Sequence, residues 1–263
     1  MGKPDCIQLF KEEPIPILYE DRSVLAIDKP AGWMLVPFSW QRTNRNLQAA
    51  IVSSIGAGHF WARSRSIRFL KYIHRLDAET TGILLFGKSP GAVDSYGELF
   101  ETRRVEKIYL ATTDVEPKEE VWTCRLPLGP HREQHGLMRV DKRNGKEAET
   151  AFRVIASSGG VYLIEARPSS GRQHQIRIHL AESGCPIIAD ELYGYSMDAA
   201  MGLRAVGLAY LDPFSQRMTS IRAPVEEFVE YFGFAPDVYR VQFQSLPGRS
   251  ESSPLTKPER GRR

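Results

Sequence analysis

The sequence predicts an α+β fold. Three observations lead there: short apolar runs stopped by Gly, Pro or Asp, two segments with helical spacing and capping residues, and strands and helices that do not strictly alternate. The 263 residues are 42% hydrophobic and 10% aromatic, enough for one sizeable core without disulfides or metals. No repeat, low-complexity linker or sharp composition shift divides the chain. One domain is therefore expected over 16–243. Residues 1–15, polar and Pro-interrupted, are expected to be a tail, and 244–263, rich in Ser, Pro, Lys and Arg, a disordered basic tail.

Taken in order, Ser23-Val24-Leu25-Ala26-Ile27 followed by Asp28-Lys29-Pro30 and Gly32 reads as a buried strand ending in a turn. Ile83 to Phe86, bracketed by Gly82 and Gly87, reads the same way. Ser89 as N-cap and Pro90 at the first helical position open a helix that puts Ala92, Val93, Tyr96, Leu99 and Phe100 on one face. Ile108 to Ala111, Thr150 to Ile155 and Tyr162 to Ala166 are further strands, and the polar stretch 131–149 between two of them is a long hairpin or loop of the kind that is usually functional. Ser169-Ser170-Gly171 precede a helix from about Arg172 to Glu182, which Gly184 and Pro186 close.

A formal net charge of +3 fits a polyanionic partner without requiring one. The basic residues gather in two stretches, Arg63, Arg65, Arg68, Lys71 and Arg75, then Arg132, Arg139, Lys142, Arg143 and Lys146, which are either solvated faces or tracks for a phosphate backbone. Cys6, Cys124 and Cys185 are odd in number and form no CxxC pair, which argues against a disulfide framework and for a reducing compartment. The N-terminus has no hydrophobic signal region, and the longest apolar runs are too short for a bilayer. A cytoplasmic protein that engages no membrane is expected. His131 and His135 are spaced to hold zinc, but only Cys124 lies near them, so no metal site is expected. Gly56-Ala57-Gly58 lacks the residues of a phosphate-cradling loop, and no cofactor is expected.

Chemistry concentrates at residues 73–82, where Asp77 stands beside Arg75 and His74 at a position read as a strand giving way to a Gly-containing turn. Taken alone, an Asp beside an Arg is more often a surface ion pair. However, HRLDAETTG at His74 to Gly82 resembles the signature of the RluA-type pseudouridine synthases. DKPAGW at Asp28 to Trp33, Lys107 with Tyr109, and GRQHQIRIHL at Gly171 to Leu180 match that family in the same order, and GCPIIADELYG at Gly184 to Gly194 is similar to the segment that follows. The chain departs from the pattern at Val36-Pro37, where relatives carry His before Pro, and at Ala189, where Gly is common.

The resemblance implies the pseudouridine synthase fold, a mixed and mostly antiparallel central sheet flanked by helices and loops, and makes 16–243 a catalytic domain without an S4-type RNA-binding module. It implies isomerisation of uridine to pseudouridine in structured RNA, a ribosomal or transfer RNA stem-loop, by base flipping and an Asp carboxylate, in a chain that acts as a monomer.

 RNA is thus the expected partner, and DNA and a second copy of the chain are not. The catalytic residues implied are Asp77, Tyr109 and Arg177, with His74, Arg75, Thr81, Gly82, Lys107, Arg172, His174 and Ile176 binding substrate.

The chemistry is compatible with these residue types. The C1′–N1 bond must break, the uracil must turn, and C1′ must join C5, with no redox step. A carboxylate can attack an electrophilic carbon or stabilise positive charge developing at C1′. It must stay ionised away from water, which a buried guanidinium favours. His174 and Arg177, three apart on the predicted helix, can face the site together. A stacked uridine must be flipped out at a cost of a few kcal/mol; Arg75 is the candidate for the vacated position and the basic stretch 131–146 for gripping an RNA stem. Two other readings stand beside this one: an RNA-binding protein on the same scaffold without catalysis, and a glycoside hydrolase using Asp77 and Glu79.

Overall fold

A computed structural model gives the fold and describes residues 2–9, 13–35 and 45–244. Within them the strands are β1 (Cys6–Ile7), β2 (Ile15–Glu20), β3 (Val24–Lys29), β4 (Lys71–Tyr72), β5 (Thr81–Gly87), β6 (Val105–Thr113), β7 (Val121–Cys124), β8 (Leu128–Pro130), β9 (Met138–Val140), β10 (Thr150–Ser158), β11 (Val161–Pro168), β12 (Leu203–Leu211) and β13 (Met218–Arg222). The helices are α1 (Leu47–Gly56), α2 (Phe60–Arg63), α3 (Pro90–Glu101), α4 (Gln175–Glu182) and α5 (Glu226–Tyr231). The central sheet runs β1-β2-β3-β5-β12-β6-β11-β10-β7, with β13 on β12 and β4 on β5, while β8 and β9 pair apart from it. Among these strands only β5 and β12 pair in parallel. The architecture is the α+β class that the sequence patterns predict, with the mixed, mostly antiparallel sheet that the family resemblance implies.

Strand alternation explains why helices cover both faces. In β3, Leu25 and Ile27 pack toward α1 and α2, whereas Val24 and Ala26 pack toward α3. In β6, Ala111 packs toward α4, and Ile108 and Leu110 toward α5 and the C-terminal segment. Tyr109 touches the core beneath α1 and the core beneath α4 at once. Helix α3 begins as its sequence predicts, with the Ser89 hydroxyl accepting from the Ala92 amide and Pro90 in the first turn. Its buried stripe is Ala92, Tyr96 and Leu99.

Three expectations change. Residues 1–15 are not simply a tail, because β1 pairs with β2 and Ile7 and Leu9 are buried at 0% and 1% exposure. Apolar residues this sparse carry no periodic signal, and only the tertiary fold reveals where they go. The helix expected from Arg172 starts at Gln175, since His174 adopts a left-handed conformation with φ 56°. The stretch 131–149 is a hairpin arm as expected: it contains β9, which pairs with β8, and its far end folds back so that Lys146 and Leu128 exchange backbone hydrogen bonds. Gly82 lies inside β5, not in a turn. At the other end, the Gln244 amide donates to Glu106, and residues 245–263 of the expected basic tail lie outside the described residues, as do Val36 and Pro37.

The role of Gly82 is a close approach between strands. Its φ is +104°, and a Cβ there would sit 2.1 Å from the Ala205 carbonyl oxygen of β12. Gly82→Ala is expected to lower stability by about 2–5 kcal/mol, from backbone strain together with separation of the β5–β12 pair. Urea unfolding of the two proteins measures this, and a loss below about 1 kcal/mol would mean that the approach is relieved by other means.

Candidate active site

Asp77 sits on the loop between β4 and β5, and three anchors fix that loop. His74 Nε2 accepts the Leu85 amide at 3.1 Å, and its ring stacks on Phe100 with centroids 4.6 Å apart. Lys29 Nζ, fully buried, donates to the Ala78 carbonyl at 2.7 Å and to the Pro30 carbonyl at 2.8 Å. The Gly32 amide also donates to Ala78, at 2.9 Å. The segment DKPAGW thus secures the residue next to Asp77. Asp28 meanwhile pairs with Arg204 of β12 at 2.6 Å.

Across a cleft of about 340 Å³ stands Arg177 of α4. Its Nη1 reaches Asp77 Oδ2 at 3.2 Å. The remainder of the guanidinium forms a fork with Asp190, Nε to Oδ2 at 2.8 Å and Nη2 to Oδ1 at 2.6 Å. Asp190 is 1% exposed, and its Oδ1 also accepts the Leu192 and Tyr193 amides. Burial opposes the charge on Arg177, but the hydrogen bonds to Asp190 and the charge of Asp77 outweigh it and raise the guanidinium's pKa above its ordinary value. Arg177 is therefore a fixed cation shared by two carboxylates.

The structure brings most of the predicted residues to this cleft. Asp77, His74, Arg75, Lys107, Tyr109, Arg172, His174, Ile176 and Arg177 all line it. Thr81 and Gly82 do not, because they begin β5, and the neighbouring Thr80 lines the wall instead. Glu79 is exposed and outside the lining, and residues 73–80 are a loop, so Asp77 and Glu79 do not form a pair at strand spacing. Among the first basic cluster, Arg65 is committed to Glu20 at 2.8 Å with its side chain 4% exposed. His131 Nδ1 accepts the Glu133 and Gln134 amides, and no group of three or more His, Cys, Asp or Glu that could hold a metal occurs among the described residues.

Burial shifts several of these groups. Desolvation, with the Lys107 charge behind it, pushes the His74 imidazole down to about 3, consistent with its role as a neutral acceptor. Desolvation, then Arg103 and Arg172, brings the Lys107 ammonium down to about 8, while its Nζ donates to the Ser170 carbonyl at 2.6 Å. Burial first, and Asp77 second, raise the Tyr109 phenol above its ordinary value, so it remains protonated. Burial lowers His174, against the pull of Asp77, whose Oδ1 is 3.7 Å from His174 Nε2.

Asp190 and Tyr193 are the site residues that sequence reasoning missed. The segment Gly184 to Gly194 was matched as a whole, but nothing in its spacing pointed to Asp190 as the partner of Arg177. In the sequence Asp190 is one acid among many, and only its burial against Arg177 in the fold marks it out. Ala189 before it has φ 58°, which explains on steric grounds why glycine suits that position. Asp190→Ala is expected to destabilise the protein by about 3–5 kcal/mol, because it strands a buried cation. Asp190→Asn, which keeps one acceptor oxygen, is expected to cost less. Chemical unfolding of both variants tests the order, and equal losses would contradict it.

Comparisons with known proteins identify the family. Residues 23–182 match the family model described as RNA pseudouridylate synthase. Pseudouridylate synthase RPUSD2 of Homo sapiens is 35% identical over 182 residues, which are 69% of this chain and 31% of that protein. Ribosomal large subunit pseudouridine synthase C of Vibrio vulnificus is 31% identical over 223 residues, 81% of this chain and 67% of that one. The chain thus spans about a third of the human relative's length and two thirds of the bacterial one's. Human RNA pseudouridylate synthase domain containing 4 has the same fold, with a TM-score of 0.65 at 22% identity over 82% of this chain and 90% of that one. The chain belongs to the RNA pseudouridylate synthase family, in its RluA-type branch.

Proposed function

We propose that this protein isomerises uridine to pseudouridine in a structured RNA, a ribosomal or transfer RNA stem-loop, with Asp77 as the catalytic carboxylate. The observation that carries the reading is the contact of Asp77 with Arg177 on the wall of a cleft, at 3.2 Å, where the cation is itself anchored by Asp190. Family membership supports the same activity.

In this reading the target nucleotide leaves its stack and enters the cleft. Arg177 pairs with Asp77, and the carboxylate either attacks the nucleotide or stabilises positive charge at C1′ while the bond to N1 breaks. The uracil turns between Tyr109 and Ile176, both of which line the cleft. C1′ then joins C5, the C5 proton leaves, and N1 gains a proton, so the product is an isomer of the substrate. The Tyr109 phenol is held protonated, so it relays the C5 proton by passing its own onward. Arg75, exposed at the cleft rim, contacts the position the base has vacated. Lys107 and Arg172 meet the RNA backbone. Arg132, Lys142, Arg143 and Lys146, all exposed around the β8–β9 hairpin, grip the adjoining stem.

Release of tritium from RNA labelled at uracil C5 tests the function. The wild type is expected to release it, and Asp77→Asn to reduce the rate by at least about 10³-fold. Free uracil in the supernatant would indicate a hydrolase, and RNA binding without release an inactive binder.

The Lys107 ammonium predicts a pH effect of definite sign. The cation is present below about pH 8 and lost above it. The RNA concentration for half-maximal rate is therefore expected to rise between pH 7 and pH 9, by about tenfold if one charge-assisted contact disappears. Lys107→Arg should flatten that rise. An unchanged profile in this variant would remove Lys107 from RNA binding.

A further inference from the structure

The β8–β9 hairpin stands apart from the central sheet, yet it is tied to the active site. Pro130 faces Met138 in the hairpin, while His131 donates to the Leu137 carbonyl at the next position. The Met138 amide thus points away from β8, and it donates to the Tyr193 hydroxyl at 2.9 Å. Tyr193 Oη lies 2.7 Å from His174 Nδ1. Its ring carries the Arg177 guanidinium at 5.3 Å and meets the His174 ring edge-on at 5.4 Å. A second tie runs from Gln173 Nε2 to the Gly136 carbonyl in the hairpin turn, at 2.9 Å.

These contacts link the hairpin to the carboxylate. The Tyr193 oxygen accepts from the Met138 amide and shares one hydrogen with His174 Nδ1 at 2.7 Å. On the far side of the imidazole, His174 Nε2 lies 3.4 Å from Gln173 Nε2 and 3.7 Å from Asp77 Oδ1. That separation exceeds a 3.0 Å hydrogen bond by about 0.7 Å. His174 is moreover held in a left-handed conformation between Gln173, which is tied to the hairpin, and α4. A sub-ångström displacement of the hairpin would thus change how Asp77 is held.

We infer that Tyr193 and His174 form a bridge through which RNA bound to the β8–β9 hairpin positions Asp77, so that Tyr193 serves turnover and not RNA affinity. This rests on the reading of the cleft as a pseudouridine synthase site. Tyr193 touches no reacting atom in this scheme and is a positioning residue. A misplacement of about 1 Å at a reacting group can cost about a hundredfold in rate, so a small shift suffices.

Tyr193→Phe retains the ring beneath Arg177 and removes the bridge. The probe is bulk RNA labelled with tritium at uracil C5, from cells lacking this protein. Tyr193→Phe is expected to lower the maximal rate by about tenfold or more, with half-saturation within about twofold of wild type. The double variant Arg132→Ala/Arg143→Ala, which weakens hairpin engagement, is expected to raise half-saturation and also to lower the maximal rate, because the bridge is left idle. Adding Tyr193→Phe to it should lower the maximal rate by much less than it does alone, since the bridge is already idle. Met138→Pro removes the same hydrogen bond from the hairpin side and should reproduce the rate loss, which keeps the test open should Tyr193→Phe fold poorly. Full multiplication of the two effects, a loss confined to half-saturation, or unchanged rates in both Tyr193→Phe and Met138→Pro would overturn the bridge. A wild type that releases no tritium would instead sink the underlying reading of the site, and the bridge with it.

Discussion

The structure is organised around one guanidinium that two carboxylates share. Arg177 is 5% exposed, and a cation so buried is tolerated only when it is paired and hydrogen-bonded. Asp190 supplies the bidentate half of that pairing, which leaves a single Nη1 contact for Asp77. The division is asymmetric in a useful way. Asp190 is bound to the backbone of its own turn and fixes the cation, while Asp77, with its side chain 16% exposed, still faces the cleft. Much of the nearby structure keeps these groups in place: Lys29 on the Ala78 carbonyl, His74 on the Leu85 amide, and Ile188 bonded to the Thr112 carbonyl at the end of β6.

The sequence was legible where local rules act. Apolar runs bounded by glycine and proline gave β3 and β5, and the Ser89-Pro90 pair gave the start of α3. The resemblance to the family points to both Asp77 and Arg177, although they stand 100 positions apart in the chain. What escaped was set by long-range packing. Ile7 and Leu9 offered two apolar residues in a polar segment, and only the sheet edge gives them a place. His174 looked helical by spacing, but its backbone is left-handed, a conformation that no periodicity encodes. Asp190 looked like any acid in a turn, because its partner is Arg177, thirteen positions away.

Two lysines near the cleft share an electrostatic pattern. Lys29 and Lys107 are each brought down to about 8, chiefly by burial, and each donates to a backbone carbonyl. For Lys29 the charges of Glu79 and Asp77 partly oppose the shift, whereas for Lys107 the neighbouring Arg103 and Arg172 add to it. One lysine therefore leans toward the carboxylate side of the site, and the other lies among cations that suit a phosphate backbone.

The place of β12 has a consequence for how the molecule assembles. It lies between β5 and β6 in the sheet, although it is formed by Leu203–Leu211, far later in the chain than either. During synthesis, the strands up to β5 and those from β6 to β11 can each gather as a separate half-sheet, with an edge left open to solvent. Insertion of one late strand closes both edges, a non-local step of the kind that folds slowly. Asp77 and Arg177 belong to opposite halves, so a chain that has not yet completed this insertion would lack the ion pair on which turnover is proposed to depend.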